Sequence, residues 1–519
     1  MNRQTFFKTA AILAATLLQG SIAAPNLPAS KTVEANDAIP SPTDKRALSF
    51  KNLRTRKEEI LWEQVGGDLL GENGDDKSGY SVDMSANGKR IVVGAIDNSG
   101  TVGNDSGHVR VYQEVNGAWV QVGQDIDGEG IRDWSGYSVG MSSSGKRVII
   151  GAYANNGNGC NSGHARIYEE VEGVWVQVGD DIDGEEESDW YGSSVDINSD
   201  GTMVIIGAPR NDKRGNMAGH ARVHKEVDGA WVQVGNAIDG EDSWNYAGHA
   251  VAMNGDGKRV IIGAYSNSGY GGEFKNIGHA RVFFLAGGSS WIQYGPDIDG
   301  EAVNDESGVS VDISDDGTRV IIGASLNDGN GVSSGHARVY KEQGAGSSTP
   351  WLQIGEDIDG AAAGDEAGNS VKISSDGKSV IVGSKLNGGA AGHARVYEEV
   401  EGAWVQVGDS INGDAADDQA GFSVGMDADG SRVIVGSPYH DGNGVGEKSG
   451  LVRVFFRSDM EEPYIPPPTP SPTPNNPNNP SPTNPINDSP TPESSSFIVS
   501  RPSYSISVLL GLAVAVLLH

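Results

Sequence analysis

The sequence predicts an all-β fold, a closed ring of seven four-stranded blades, on three observations. Glycine supplies 74 of the 519 residues, about twice its usual share of roughly 7%, which indicates many tight turns. Short segments of alternating apolar and polar residues, bounded by Gly, Asp and Asn, have the pattern of strands and hairpins. A W-x-Q motif recurs every 53 to 60 residues, a period that suits a propeller blade, at Trp62, Trp119, Trp175, Trp231, Trp291, Trp351 and Trp404.

One repeat unit, starting at residue 136, shows how four strands fit each period. The predicted strands are GYSVGM (136–141), KRVIIGA (146–152), GHARIYEE (163–170) and VWVQVG (174–179). Tight turns at Ser144-Gly145 and Glu172-Gly173 join the first strand to the second and the third to the fourth. An Asn/Gly loop and an acidic link at 181–192 make the other connections.

The strand count predicts how the ring closes. The first strand of the unit, the third-strand Arg and the W-x-Q motif each occur seven times. Trp62 nevertheless precedes every first strand, and no tryptophan strand follows Phe456. The N-terminal strand at 61–66 is therefore predicted to complete the last blade, which removes the exposed edges that an open sheet would present.

The two ends of the chain predict secretion and attachment to a surface. Residues 1–23 have the basic start, short apolar core and small residues of a signal peptide. Residues 24–56 form a polar leader, with Lys45-Arg46 as a candidate processing site. The propeller is predicted over 57–457, and Asn104 begins a glycosylation sequon within it.

The C-terminal segment is predicted to hold the propeller away from the membrane. Residues 458–496 are rich in Pro, Ser, Thr and Asn, and such a stalk favours extended polyproline II. Residues 497–519 resemble a hydrophobic signal for attachment of a glycolipid (GPI) anchor, with Ser494 as the candidate attachment residue. A short membrane anchor is the alternative, although the apolar run is shorter than the roughly 20 residues that a spanning helix needs.

Composition excludes several classes of protein. The formal charge of −32 (38 basic against 70 acidic residues) disfavours nucleic-acid binding, which needs a basic surface. The single cysteine, Cys160, excludes an internal disulfide framework. Apolar runs occur only at the two chain ends, so the chain is not predicted to cross a membrane several times.

The repeat resembles the FG-GAP repeats of integrin α-chain propellers and of related microbial and algal surface proteins. The resemblance covers residues 57–457 and rests on the first strand, the GKRVIIGA segment and the G-H-A-R-V-Y segment. Gly207-Ala208-Pro209 matches the GAP element itself. The family's Phe before the first Gly is absent, and the turn that holds its calcium loop is tight here. The family's metal site is therefore not carried over.

The acidic links are candidate calcium sites. They repeat Asp-Ile-Asp-Gly-Glu and add another Asp before the next blade, and calcium prefers six to eight oxygens from such loops. The alternative is that Asp-Gly forms turns and that the acids keep the surface soluble. The candidate ligands are Asp125, Asp127, Glu129, Asp133, Asp181, Asp183, Glu185, Asp189, Asp297, Asp299, Glu301, Asp305, Asp357, Asp359 and Asp365.

The face that carries the longer, variable connections is the predicted binding face. Trp134, Trp190 and Trp244 lie in its links and are candidate platforms for a sugar or a protein. The alternative is that each tryptophan covers its own loop. The seven W-x-Q tryptophans and the histidines of the repeated G-H-x-R segment are instead predicted to pack within and between blades.

Taken together, these features predict a monomeric, secreted propeller that binds an extracellular protein or glycan at a cell surface. Calcium is its one candidate cofactor, and the C-terminal anchor is its predicted contact with the membrane. One alternative is a glycan-active enzyme, because Asp242, Trp244, Tyr246 and His249 depart from the repeat; no catalytic motif accompanies them. The other alternative is a structural wall or matrix protein without a discrete ligand.

Overall fold

The computed structural model describes residues 60–268, 275–344, 350–442 and 444–460. These residues belong to one compact unit within Met1–Glu461. The predicted signal peptide, the whole leader with Lys45-Arg46, most of the stalk, the C-terminal hydrophobic segment and Ser494 lie outside the described residues. Within the described ranges, no helix is both long and apolar enough to cross a bilayer.

The described chain forms seven antiparallel sheets arranged as a ring, as predicted. In each blade the first strand lines the central channel, and the following strands lie progressively further out. The strands of the first three blades are β3 Ser78–Met84, β4 Arg90–Ala95, β5 His108–Val115, β6 Ala118–Gln121 and β7 Ile126–Asp127; β8 Ser138–Met141, β9 Arg147–Ala152, β10 His164–Val171, β11 Val174–Gln177 and β12 Ile182–Asp183; β13 Ser194–Ile197, β14 Met203–Ala208, β15 His220–Val227, β16 Ala230–Gln233 and β17 Ile238–Asp239.

The remaining blades follow the same plan. Their strands are β18 Ala250–Met253, β19 Arg259–Ala264, β20 His279–Ala286, β21 Ser290–Gln293 and β22 Ile298–Asp299; β23 Ser307–Ile313, β24 Arg319–Ala324, β25 His336–Glu342, β26 Trp351–Gln353 and β27 Ile358–Asp359; β28 Ala367–Ile373, β29 Ser379–Ser384, β30 His393–Val400 and β31 Ala403–Asn412; β32 Ser423–Met426, β33 Arg432–Ser437 and β34 Leu451–Arg457. A four-residue helix, Asn387–Ala390, lies in blade 6. Blade 7 is completed by β1 Trp62–Gln64 and β2 Leu69–Leu70.

Closure of the ring by the N-terminal strand is confirmed. Trp62 pairs with Arg457 and Gln64 with Phe455 in an antiparallel register. Seven backbone hydrogen bonds of 2.9–3.1 Å also encircle one end of the channel, each from one blade to the next. The last of them runs from the Ala428 N–H to the Ala86 carbonyl and joins blade 7 to blade 1.

The core lies between neighbouring blades because the second strands are apolar on both faces. In β14, Ile205 and Ile206 are fully buried and point to opposite sides of the sheet. Close packing also explains the Gly at the end of each second strand. A Cβ on Gly151 would lie 2.0 Å from the carbonyl oxygen of Gly192 in the next blade, so no larger residue fits.

The W-x-Q tryptophans pack between blades, as predicted. Each indole N–H donates a hydrogen bond of 2.8–3.0 Å to a backbone carbonyl of the preceding blade. In Trp62 this acceptor is the Val407 carbonyl, which again joins the terminal strand to the ring.

A second contact between blades pairs an Arg that opens the second strand with a Glu on the third strand of the next blade. The pairs are Arg90–Glu170, Arg147–Glu226, Arg259–Glu342, Arg319–Glu399 and Arg432–Glu114. Between blades 3 and 4 both charges are replaced together, by Met203 and Leu285, which belong to one apolar cluster. The paired replacement indicates that an apolar contact can take the place of the ion pair.

The links differ from the prediction in one respect. Each link that follows blades 1 to 5 begins with a two-residue strand that pairs with the third strand, as Ile126–Asp127 does with Val109 and His108. Ile126 is buried in the core, and this burial ties the start of the link to the blade.

Candidate functional site at the channel mouth

The two faces of the ring have different connections. The short turns, such as 85–89 and 116–117, lie on one face, here called the turn face. The longer loops, such as 96–107 and 209–219, and the acidic links lie on the opposite face, here called the loop face. The circle of backbone hydrogen bonds lies at the turn-face end of the channel.

A cavity of about 290 Å³ opens at the loop-face end of the channel. Its rim is formed by the residue that directly follows the first-strand Gly in each blade, and this position does not follow the repeat. The seven rim residues are Tyr80, Tyr137, Ser193, His249, Val309, Asn369 and Phe422. The scaffold therefore presents a different side chain from every blade at one place.

Aromatic rings cover one side of this mouth in a continuous run. The ring of Tyr80 lies 4.8 Å from Phe422 and 5.1 Å from Tyr137, measured between centroids. Tyr137 contacts Tyr153 at 4.4 Å, and Tyr153 contacts Trp190 at 4.8 Å. We call Phe422, Tyr80, Tyr137, Tyr153 and Trp190 the aromatic run.

Two of the three predicted tryptophans belong to this part of the surface. Trp190 ends the aromatic run, with the guanidinium of Arg210 3.4 Å from its ring centroid, and Trp134 lies 5.4 Å from Tyr153. Both stand one ring behind the channel rim, because Tyr153 separates them from Tyr137.

Trp244 occupies a different position in its link. Trp134 and Trp190 precede the first-strand Gly by two residues, whereas Trp244 precedes Gly248 by four. The structural counterpart in blade 4 is Tyr246, which shares the left-handed backbone of Trp134 and Trp190. The ring of Tyr246 stacks on Tyr265 at 5.4 Å.

The seven rim residues of the mouth carry no charge near neutral pH. Burial lowers the pKa of His249 to about 4, so its imidazole is neutral at pH 7. Burial also raises the pKa of Tyr80, and it raises that of Tyr265 to about 12. The charged groups of blades 5 and 6 pair with each other, as Lys385 does with Glu366 at 3.0 Å.

Below the mouth, four ionisable side chains, Asp83, Asp196, Asp312 and Lys372, line the channel. The Nζ of Lys372 lies 3.8 Å from Asp83 Oδ1 and 3.7 Å from Asp312 Oδ1. Asp83, Asp196 and Asp312 also accept hydrogen bonds of 2.7–2.8 Å from backbone N–H groups of the next blade. A smaller cavity of about 90 Å³ lies on the turn-face side of these residues. The four side chains therefore form the polar floor of the upper cavity.

This polar floor predicts a pH effect on stability. Burial, with a further contribution from Asp312 and Asp83, raises the pKa of Asp196 to about 7, above the value of about 4 in an unfolded chain. The stability that this group contributes is therefore complete below about pH 4 and is lost as the pH rises towards 7. Relative to the wild type, Asp196→Asn should gain stability between pH 4 and pH 8. Thermal unfolding midpoints test this, and a difference that is independent of pH would contradict it.

The predicted calcium ligands of one link turn towards different partners. In the link between blades 1 and 2, Asp125 pairs with Arg110 and Asp127 accepts a hydrogen bond from Thr101. Glu129 lies 3.2 Å from Arg166 of the next blade. Asp133 accepts hydrogen bonds from the Gly130 N–H and from the side chain of Asn155.

The candidate calcium ligands of the other links also contact different partners. The last Asp of each link, at Asp189, Asp305 and Asp365, is buried and bonded to an Asn side chain of the next blade. Glu185 and Glu301 contact Arg222 and Arg338. Asp183, Asp299 and Asp359 pair through the backbone with a third-strand His. Calcium binding within a single link stays a prediction.

Carboxylates from successive links do meet at the repeated histidines. Four clusters place a Glu of the preceding link, a His of the third strand and an Asp of the following link within 4.8 Å of one another. They are Glu72–His108–Asp125, Glu129–His164–Asp181, Glu241–His279–Asp297 and Glu301–His336–Asp357. The clusters were not predicted from the sequence, because each joins residues of two links and a strand that are far apart in the chain.

Comparisons with known proteins leave the family open. No protein-family model matches the chain, and no curated protein matches it. Among solved structures, hydrazine synthase from Kuenenia stuttgartiensis is similar with a TM-score of 0.45 and 10% identity, over 70% of this chain and 92% of that chain. A likeness this distant carries no argument about function. The seven-bladed propeller follows from the chain's own strand pairing, and the FG-GAP relationship stays a prediction.

Proposed function

We propose that this protein is a cell-surface binding module that holds an extracellular glycan at the loop-face mouth of its channel. The aromatic run is the observation that carries the proposal. Sugar rings bind to aromatic faces through their apolar C–H surfaces, and four half-buried members of the run, Phe422, Tyr80, Tyr137 and Trp190, can supply such faces, whereas Tyr153 is buried beneath them. Ser193 and Asn369, the rim residues next to Tyr137 and Phe422, add polar groups that can fix the orientation of a ligand.

The variable residues at the rim of the mouth favour a ligand-binding role over a purely structural one. Repeated positions such as the W-x-Q tryptophans serve the scaffold, whereas the rim residues differ from blade to blade. A rigid ring with one variable, concave, largely uncharged surface is the usual arrangement of a binding site. The cavity of about 290 Å³ is at the lower end of the range for small-ligand pockets, which favours one end of a glycan chain.

We also propose, on the basis of the sequence, that the protein is attached to the cell surface and that its binding depends on calcium. A signal peptide, a Pro-rich stalk and a GPI anchor would present the loop face outside the cell. Asn104, the predicted glycosylation site, is exposed on a loop of blade 1. Calcium in the links would strengthen binding indirectly by ordering the loop face.

A glycan array probed with the full secreted chain tests the proposed function. We expect selective, saturable binding to a limited set of glycans, and we expect Tyr137→Ala to reduce it strongly. Tyr137→Phe is the matched control, because it keeps the ring that contacts Tyr80 and Tyr153. Absence of binding to any glycan, or equal binding by Tyr137→Ala, would contradict the proposal.

A further inference from the structure

We propose that three of the Glu–His–Asp clusters are binding sites for a zinc-like divalent metal ion that joins successive links. The three sites are Glu129–His164–Asp181, Glu241–His279–Asp297 and Glu301–His336–Asp357. Each would take one imidazole nitrogen and two carboxylate oxygens, a ligand set that suits zinc and other borderline metals. Calcium prefers oxygen ligands alone, so this proposal is separate from the calcium prediction.

The spacing between His and Asp fits a shared ion. The His Nδ1 to Asp Oδ2 distances are 3.5, 3.6 and 3.4 Å in blades 2, 4 and 5. Two atoms that are each about 2.1 Å from one tetrahedral zinc ion lie about 3.4 Å apart. The Glu side chain of each site is exposed by 42 to 49% and has room to complete the coordination.

The carboxylate of each site is already oriented. The other oxygen of Asp181, Asp297 and Asp357 accepts a hydrogen bond of 2.6–2.8 Å from the Gln of the W-x-Q motif. Oδ2 is thereby directed towards the imidazole, as outer hydrogen bonds do for many metal ligands.

His336 supplies an independent indication of a missing ligand. Its side chain is only 1% exposed, and neither ring nitrogen has a hydrogen-bond partner within the described ranges. An imidazole buried without hydrogen bonds costs free energy, and metal coordination would offset that cost.

The other blades provide natural controls. In blade 1, Arg110 pairs with both Asp125 and Glu72, so a guanidinium already lies between the two carboxylates. In blade 3 the Asp is replaced by Ala237, and His220 has no such partner in its link. In blades 2, 4 and 5, by contrast, the local Arg reaches the Glu at 3.2–3.6 Å and donates its other nitrogen to a backbone carbonyl.

Titration of the full, tag-free, chelator-treated chain with zinc chloride tests the proposal. Calorimetry should give three equivalent sites, the melting temperature should rise with zinc, and cobalt should give the visible absorption of a site with a nitrogen ligand. Asp357→Asn and His336→Gln should each reduce the stoichiometry to two, whereas His220→Gln should leave three.

Three results would overturn the proposal. They are the absence of saturable zinc binding, an unchanged stoichiometry in folded Asp357→Asn, and displacement of the bound zinc by a large excess of calcium. Because Asp357 is partly exposed, its variant stays informative even if His336→Gln does not fold. Glycan binding at the channel mouth is measured separately and can fail without affecting this result.

Discussion

Tyr80→Ala is expected to weaken glycan binding by about thirtyfold or more. The Tyr80 ring is the middle one of the three aromatic rings on the rim, since it contacts Phe422 on one side and Tyr137 on the other. Its loss removes a stacking surface and frees both neighbouring rings to move. Central aromatic residues of binding sites typically contribute about 2 kcal/mol or more, which corresponds to this change in the dissociation constant. Calorimetric titration with the strongest glycan from the array measures the effect.

Tyr80→Phe is the matched control for this experiment. It retains the ring and removes only the hydroxyl, so we expect the dissociation constant to change by no more than about threefold, the size of a weak neutral hydrogen bond. The circular dichroism spectrum should show that Tyr80→Ala keeps the propeller fold. A folded Tyr80→Ala protein that binds as tightly as the wild type would refute the placement of the site.

Breaking the ion pair between the last and first blades is expected to cause the largest loss of stability. Arg432 donates a hydrogen bond of 2.6 Å to Glu114, and the two side chains are only 3% and 10% exposed. Glu114→Leu removes the carboxylate of blade 1 that faces the Arg432 guanidinium, and Arg432→Met removes the guanidinium that faces Glu114. Each single change should cost about 3–5 kcal/mol, measured by denaturant unfolding.

The double variant tests whether an apolar contact can replace this ion pair. Arg432→Met with Glu114→Leu reproduces the Met and Leu that occupy the equivalent positions, Met203 and Leu285, between blades 3 and 4. Replacing a buried ion pair with apolar side chains of similar volume is often nearly neutral, so most of the lost stability should return. If the double variant lost as much stability as the two single variants together, Arg432 and Glu114 would not form one contact between the last and first blades.

The architecture could be predicted because every blade repeats the same physical requirements. Second strands such as β14 are β-branched since both of their faces are buried, and Gly151 is required by a close backbone approach. The sequence contains seven first strands and seven tryptophan strands, and one tryptophan strand precedes all the first strands. This order predicted that the N-terminal strand closes the ring. The short strand Ile126–Asp127 was missed because an acidic Asp-Gly segment is more typical of a turn.

The channel mouth was harder to predict because its residues are distant in the sequence. Tyr80, Tyr137 and Phe422 are separated by tens to hundreds of residues and meet only when the ring closes. Their common register after the first-strand Gly was the available signal. The prediction that Trp244 is equivalent to Trp134 and Trp190 was wrong. All three tryptophans lie in acidic links, but Trp244 is two residues further from the first-strand Gly than the other two.

Hydroxyl-radical footprinting of the full chain, with and without the bound glycan, tests the central claim most directly. We predict that the bound glycan protects Tyr80, Tyr137 and Phe422 at the mouth from oxidation by the radical. The scaffold tryptophans Trp119 and Trp231, further out in their blades, should react equally in both states. Protection confined to the turn face or to the outer strands, with an unchanged mouth, would contradict the claim that the aromatic run is the binding site.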